Sequence, residues 1–186
     1  MKRILDIFLS VFLMIIFLLP MLLILILLRI TSKDSILYWS CRIGKGNEMF
    51  YMPKFRTMRA DAPLLATHLL INSNSYITPI GSFLRKSSLD ELPQLWSIFV
   101  GHMSFVGPRP ALFNQLDLIK LRTESGVQIL VPGLTGWAQI NGRDELSISE
   151  KVVLDKYYLE NRSFLMDLQI MIVTVFKVIR RNGVKH

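Results

Sequence analysis

"ILDIFLSVFLMIIFLLPMLLILILL", from Ile4 to Leu28, is the stretch on which the architecture turns. Apart from Asp6, Ser10 and Pro20 it is almost pure hydrocarbon. As one α-helix it would reach roughly 37 Å, enough to cross a hydrocarbon core of about 30 Å. Hydropathy alone therefore reads a single transmembrane helix. A cleaved signal peptide fits poorly, because the apolar run is long and no small-x-small site follows it. Two features favour a helix that enters, bends and returns to the same face. Lys2 and Arg3 precede the stretch and Arg29, Lys33, Arg42 and Lys45 follow it, so basic residues show no asymmetry across it. Pro20 removes a backbone donor past the middle and kinks or breaks the helix there. Backbone groups freed at such a bend need partners, since lipid offers none.

The rest of the composition agrees with a membrane setting. The chain has 186 residues, room for one compact domain and an appendage. It is 51% hydrophobic and 19% charged, yet carries a formal charge of +8, which points to a membrane surface, anionic ligands or both. A single cysteine, Cys41, excludes an internal disulfide framework. His68, His102 and His186 are scattered without zinc-ligand spacing. The basic residues form no aromatic-interleaved stripe or reader motif, so nucleic acid is not an expected partner.

Beyond Leu28 the pattern predicts an α+β fold, a small, mainly helical domain with a short β-hairpin. Ile36–Ser40 and Met49–Phe55 read as strands around a Gly44-Lys45-Gly46-Asn47 turn. A helix and loop are expected over Ala60–Asn74. A further helix should run from Ser88 to Val100 with Leu92, Leu95, Trp96 and Phe99 on one face. Ala111–Arg122 reads as a helix with Pro110 near its first position. Val131–Arg143, punctuated by Pro132, Gly133, Gly136 and Gly142, reads as a structured loop. Ser147 and Glu150 match a capping box that opens a helix to about Glu160. Phe164–Ile179 is apolar nearly all round, except for a stripe of Asp167, Thr174, Lys177 and Arg181. Such a helix suits either a membrane interface or a buried core. The basic end "KVIRRNGVKH" favours an anionic lipid surface.

The residues able to do chemistry cluster at the turns. In "KSSLDELPQL" (Lys86–Leu95) two carboxylates, Asp90 and Glu91, stand at a helix start. Ser88-x-x-Glu91 matches a capping box, and Asp90 in a first turn suits the helix dipole. Adjacent helical residues point about 100° apart, so the two acids cannot share a proton as a facing dyad. If both are catalytic, they divide the labour. An ionised Asp can attack phosphorus, while the other carboxylate holds a metal or accepts a proton. Mg2+ fits, since it takes one or two carboxylates together with substrate phosphate. In "GPRP" (Gly107–Pro110) two prolines restrict the backbone around Arg109, whose fork suits bidentate phosphate recognition. Lys54 and Arg56 in "KFRTM", Arg85 and Arg143 are further basic candidates.

Five segments in order carry a family resemblance: "KFRTM" (Lys54–Met58), "IGSFLRKSSLDELPQLW" (Ile80–Trp96), "GHMSFVGPRP" (Gly101–Pro110), "PGLTGWAQINGR" (Pro132–Arg143) and "DKYYLENRSFLMDLQI" (Asp155–Ile170). Together they resemble the bacterial sugar transferases, the small monotopic polyprenyl-phosphate sugar-1-phosphate transferases. The resemblance implies a membrane-inserted helix over residues 1–30, re-entrant and Pro-kinked, and a cytosolic catalytic domain over 31–186 with interfacial helices. It implies residence on the cytoplasmic face of the bacterial inner membrane. It also implies ping-pong transfer of sugar-1-phosphate from a UDP-sugar to undecaprenyl phosphate, with release of UMP. Asp90 would form an aspartyl-phosphosugar, and Glu91 would assist the acceptor step or the Mg2+ site. Arg109 would grip phosphate, with Pro108 and Pro110 shaping the nucleotide pocket. Lys54, Arg56, Arg85 and Arg143 would bind the anionic substrates and lipid head groups. Downstream glycosyltransferases would take the product, for O-antigen, capsule or other glycoconjugates. The family's helix breaks at a Ser-Pro pair, whereas this chain has Leu19-Pro20. The competing reading is a non-enzymatic membrane-anchored protein whose basic turns bind anionic lipid or a partner.

Overall fold

The Gly44-Lys45-Gly46-Asn47 turn closes the hairpin on which one side of the site is built. Gly46 and Asn47 both adopt positive φ (66° and 65°), and the Gly44 amide donates to the Glu48 carbonyl at 2.7 Å. Strands β1 (Leu37–Ile43) and β2 (Met49–Phe55) pair antiparallel, with Leu37 opposite Phe55 and Ile43 opposite Met49. The first strand thus runs three residues further than its hydrophobic pattern suggests, because pairing continues to the turn. Pro53 is tolerated in β2 because this sheet has only two strands and one edge of each is open.

The computed structural model describes residues 2–32, 34–63, 75–142 and 145–180. Its helices are α1 (Lys2–Ile16), α2 (Leu18–Thr31), α3 (Pro79–Lys86), α4 (Gln94–Val100), α5 (Leu116–Glu124), α6 (Trp137–Ile140), α7 (Ile148–Asn161) and α8 (Phe164–Arg180). A second sheet, not anticipated, pairs β3 (Ser104–Val106) and β4 (Gly133–Thr135) in parallel. The architecture is mixed and mainly helical, as the pattern predicts. Most of the helix and loop expected over Ala60–Asn74 lies outside the described residues, as do Arg143 and Arg181.

Three expectations need correction. Ala111–Arg122 is helical only from Leu116. Before that, the Ala111 carbonyl accepts from Ile43 and Leu112 bridges to Arg42, so this segment extends the hairpin edge. The Ser88–Val100 helix is split into a short 3₁₀ turn, Leu89–Glu91, and α4. Its buried face is Gln94, Leu95, Ser97 and Ile98, while Trp96 and Phe99 are turned outward. Val131–Arg143 contains β4 and α6 rather than loop alone.

The helix α7 begins as its capping box dictates. Ser147 Oγ accepts from the Glu150 amide, and the Glu150 carboxylate accepts from the Ser147 amide at 2.7 Å. In α8 the polar stripe faces the domain. Asp167 is buried, Thr174 Oγ1 meets Thr135 Oγ1 at 2.7 Å, and Lys177 donates to the Ile140 carbonyl at 2.6 Å. Phe164, Leu165, Leu168, Ile172, Val175 and Phe176 are left outside.

The amino-terminal stretch forms two helices bent by 59° at Phe17; among the described residues no single helix is long and apolar enough to cross a membrane. Pro20 sits in the first turn of α2, where its missing N–H costs least, and the break falls just ahead of it. The polar residues of α1 face inward. Asp6 is buried and accepts from Ser104 Oγ and the Phe105 amide, both at 3.1 Å. Arg3 donates to the Ile98 and Phe99 carbonyls at the end of α4, and Lys2 meets Asp167 at 2.5 Å. Leu9, Leu13 and Met14 pack on the main core, around Met52, Ile98, Met103, Phe105 and Ile170. Ile4, Phe8, Phe12 and Ile15 form the outward face.

Candidate active site

The site forms where the end of β2, the Leu89–Glu91 turn and the "GPRP" segment meet. Side chains alternate along β2, so Phe50, Met52 and Lys54 share a face. The first two enter the core, and Lys54 at the far end reaches Glu91 Oε1 at 2.7 Å. Arg109 Nη2 reaches the same oxygen at 3.0 Å. Glu91 is therefore held between two cations.

Asp90 is placed differently. It is 9% exposed, and among the described residues no hydrogen-bond donor engages its carboxylate. Burial is the main cause that raises its pKa to about 6, and the neighbouring Glu91 charge adds to it. Lys54, Arg85 and Arg109 pull the other way. Arg85, in the last turn of α3, is itself oriented by a 2.8 Å bond from Nε to Thr57 Oγ1. Burial lowers the pKa of Lys54, against the field of Glu91, and lowers that of Arg85.

The expected capping box at Ser88 does not form. Ser88 lies in the left-handed region (φ 56°), and its side chain makes no cap bond. A capping residue needs extended backbone, which this conformation denies. The Glu91 side chain turns to Lys54 and Arg109 instead. A non-glycine residue at positive φ is uncommon and costs about 1–2 kcal/mol.

The "GPRP" turn is fixed by its surroundings. The Gly107 amide donates to the Thr135 carbonyl and the Gly133 amide to the Pro108 carbonyl, both at 2.9 Å. A Cβ at Gly107 would run into Val131 and Gly133 backbone, and one at Gly133 or Gly136 into Gly107 backbone. "GPRP" and "PGLTG" are thus two halves of one backbone contact. Three residues that the motif reading left without roles hold the turn from behind. Arg122 Nη1 donates to the Arg109 carbonyl at 2.8 Å, and its Nε and Nη2 grip buried Asp155 Oδ2 at 3.0 and 2.7 Å. Arg42 Nη1 donates to the Pro110 carbonyl at 3.1 Å. Burial first, and then the Arg109 charge, lowers the Arg42 pKa to about 10. The sequence signal for these residues was weak: a basic residue within a strand and an Arg–Asp pair separated by 33 positions.

Of the nominated residues, Asp90, Glu91, Lys54, Arg85 and Arg109 converge, with Pro108 and Pro110 flanking Arg109. Arg56 does not join them. It donates to the Ser35 carbonyl and hydroxyl at 2.8 and 2.6 Å and lines a separate cavity of about 330 Å³ at the foot of α2. The first residue beyond β2, it is drawn to the chain entering β1.

For Mg2+ the donor set is suitable in part. Among the described residues no cluster of three or more ligating side chains exists. Magnesium needs none when one or two carboxylates act with substrate phosphate and water. Asp90, without a donor among the described residues, fits that role; Glu91, with Oε1 already between two cations, fits it less well.

The profile of the family "Bacterial sugar transferase" matches residues 1–181. The sugar transferase EpsL of Bacillus subtilis is 35% identical over 186 residues, covering 100% of this chain and 91% of that protein. The exopolysaccharide production protein ExoY of Sinorhizobium fredii is 36% identical, covering 98% and 87%. The undecaprenyl-phosphate galactose phosphotransferase of Salmonella typhimurium is 32% identical over 163 residues, 79% of this chain but 34% of that longer protein. An ordered set of motifs converging on one acidic pair, with a family match along nearly the whole length, leads to one statement of kinship: the chain belongs to the bacterial sugar transferase family.

Proposed function

We propose that this protein transfers sugar-1-phosphate from a UDP-sugar to undecaprenyl phosphate, releasing UMP, in two displacements at Asp90. The observation that carries this is the contrast between the two acids: Glu91 is paired with Lys54 and Arg109, whereas Asp90 is buried, without a donor among the described residues, and within the field of Lys54, Arg85 and Arg109. A carboxylate so placed is a nucleophile awaiting an anionic electrophile. In the first step an Asp90 oxygen attacks the β-phosphorus, the bond to the bridging oxygen breaks, and UMP leaves with that oxygen. In the second, an oxygen of the lipid phosphate attacks the same phosphorus and the Asp90–phosphorus bond breaks. The product is polyprenyl-diphosphate sugar, and Asp90 is regenerated.

Arg109 and Lys54 offset charge on the diphosphate, the main demand of phosphoryl transfer. Arg85 approaches from α3. Mg2+, held by Asp90 and substrate phosphate, would supply further charge neutralisation. Relatives whose names specify undecaprenyl-phosphate sugar phosphotransfer support the choice of acceptor. The bent α1–α2 pair, together with the outward apolar faces of α1 and α8, supports a re-entrant insertion from the cytoplasmic leaflet of the inner membrane. There a nucleotide sugar from the cytosol meets a lipid phosphate, and later glycosyltransferases meet the product.

The test is UMP release by the purified protein with Mg2+, undecaprenyl phosphate and a panel of UDP-sugars. Omitting the acceptor should leave a single-turnover burst of UMP and sugar-phosphate bound to protein. No UMP with any sugar returns the chain to a membrane-anchored lipid binder.

A further inference from the structure

We infer that Arg122, clamped by Asp155, is a positioning residue that aims Arg109 at the reacting phosphates, with Arg42 as its counterpart on the other side of the turn. The inference rests on the phosphotransfer proposed above and assigns a task to residues that reading does not use.

The geometry is that of a three-point mount. Pro108 and Pro110 limit φ on either side of Arg109. The carbonyl of Arg109 is held by Arg122, and that of Pro110 by Arg42. The Arg109 side chain, 35% exposed, reaches Glu91 Oε1 at 3.0 Å beside Asp90. The mount relies on a guanidinium at 122. Two of its nitrogens are committed to Asp155 and a third to the Arg109 carbonyl. A lysine has one nitrogen and no rigid fork, so it cannot face both partners with the same geometry. Asp155 is 1% exposed and comes from α7, Arg122 comes from α5, and the pair therefore transmits the packing of two helices to one turn. The alternative is that the pair only staples α5 to α7.

A double-mutant cycle separates the two. Arg122→Lys, Asp155→Asn and Arg42→Gln are made in the wild-type and Arg109→Ala backgrounds, and kcat and KM for the UDP-sugar are followed by UMP release. Because Asp155→Asn removes a buried counter-charge and can unfold the chain, Arg122→Lys and Arg42→Gln carry the decision. Each should keep the melting temperature within a few degrees yet lower kcat/KM about 10- to 100-fold, the scale of a small misplacement of a binding group. In the Arg109→Ala background each should add less than about twofold. Losses of equal size in both backgrounds, or wild-type kcat/KM in Arg122→Lys, overturn the inference while leaving the phosphotransfer intact. A wild-type protein that releases no UMP overturns both.

Discussion

Glu91 Oε1 lies 2.7 Å from the ammonium of Lys54 and 3.0 Å from the guanidinium of Arg109. One carboxylate oxygen thus joins the hairpin to the "GPRP" turn, one residue away from the unengaged Asp90. Glu91→Gln removes the shared counter-charge. The expected loss of stability is about 1–3 kcal/mol, below that of a fully buried pair because Arg109 is partly exposed. UMP release should fall at least about 100-fold. Since Glu91 raises the Asp90 pKa, the acid limb of the remaining activity should move to lower pH. A limb that stays in place contradicts this coupling.

Asp90 sets the pH dependence of the first displacement. Attack needs the ionised form, so single-turnover UMP release should fall about tenfold per unit on the acid side of the Asp90 pKa, which is about 6 without metal and is moved lower by Mg2+ bound there. Stability runs the other way. A pKa raised from 3.8 means that the folded state binds the proton more tightly than the unfolded chain. The resulting contribution is fully present below about pH 3.8 and is lost as pH rises through about 6. Asp90→Asn should abolish turnover, and its melting temperature relative to wild type should be higher at pH 8 than at pH 4.5. Equal differences at both pH values would show that Asp90 titrates normally.

Ser88 gives a clean contrast between two local structures. As a capping residue it would lose stability on replacement by Ala. In the left-handed conformation observed, Ser88→Gly relieves strain at some entropic cost, so the melting temperature should be unchanged or slightly raised. Ser88→Val should lose about 1 kcal/mol or more, because a β-branched residue resists positive φ. Thermal unfolding of the three variants decides between them.

The backbone contact between "GPRP" and "PGLTG" predicts an unusual penalty for a single methyl group. Gly107→Ala should cost about 1–3 kcal/mol and reduce UMP release, because the carbonyl of Val131 has to move. Gly46→Ala, in open space on the hairpin turn, should lose only the smaller cost of its positive φ. Similar melting temperatures for the two variants would mean that the turn is looser than described.

Membrane topology can be read in a Cys41→Ser background. A cysteine appended ahead of Met1 and one at Ser35→Cys should both react with an impermeant reagent from the cytoplasmic side. Labelling from opposite sides would establish a spanning segment.

What was legible in the sequence was what depends on neighbours in the chain. The hairpin turn needs its glycine, the Ser147–Glu150 box spans one helical turn, and helical geometry at Asp90–Glu91 argues for divided labour between the two acids. Ser88 misled because its capping pattern is local, whereas the cations that claim Glu91 arrive from Lys54 and Arg109, 37 and 18 positions away. The same holds for Arg122 and Asp155, which make sense only once α5 and α7 are packed. Trp96 and Phe99 kept the helical period but not the inward direction, because Gln94 and Ser97 took the buried face.

The inward face of α1 has a practical consequence for handling the protein. Leu9, Leu13 and Met14 are part of the wall around Ile98 and Phe105, and Asp6 satisfies the amide of Phe105. Trimming the amino terminus to obtain a water-soluble fragment would strip that wall and orphan the groups it serves. The first helix is a structural member of the body that holds the site, so preparations meant for assay have to keep it in place.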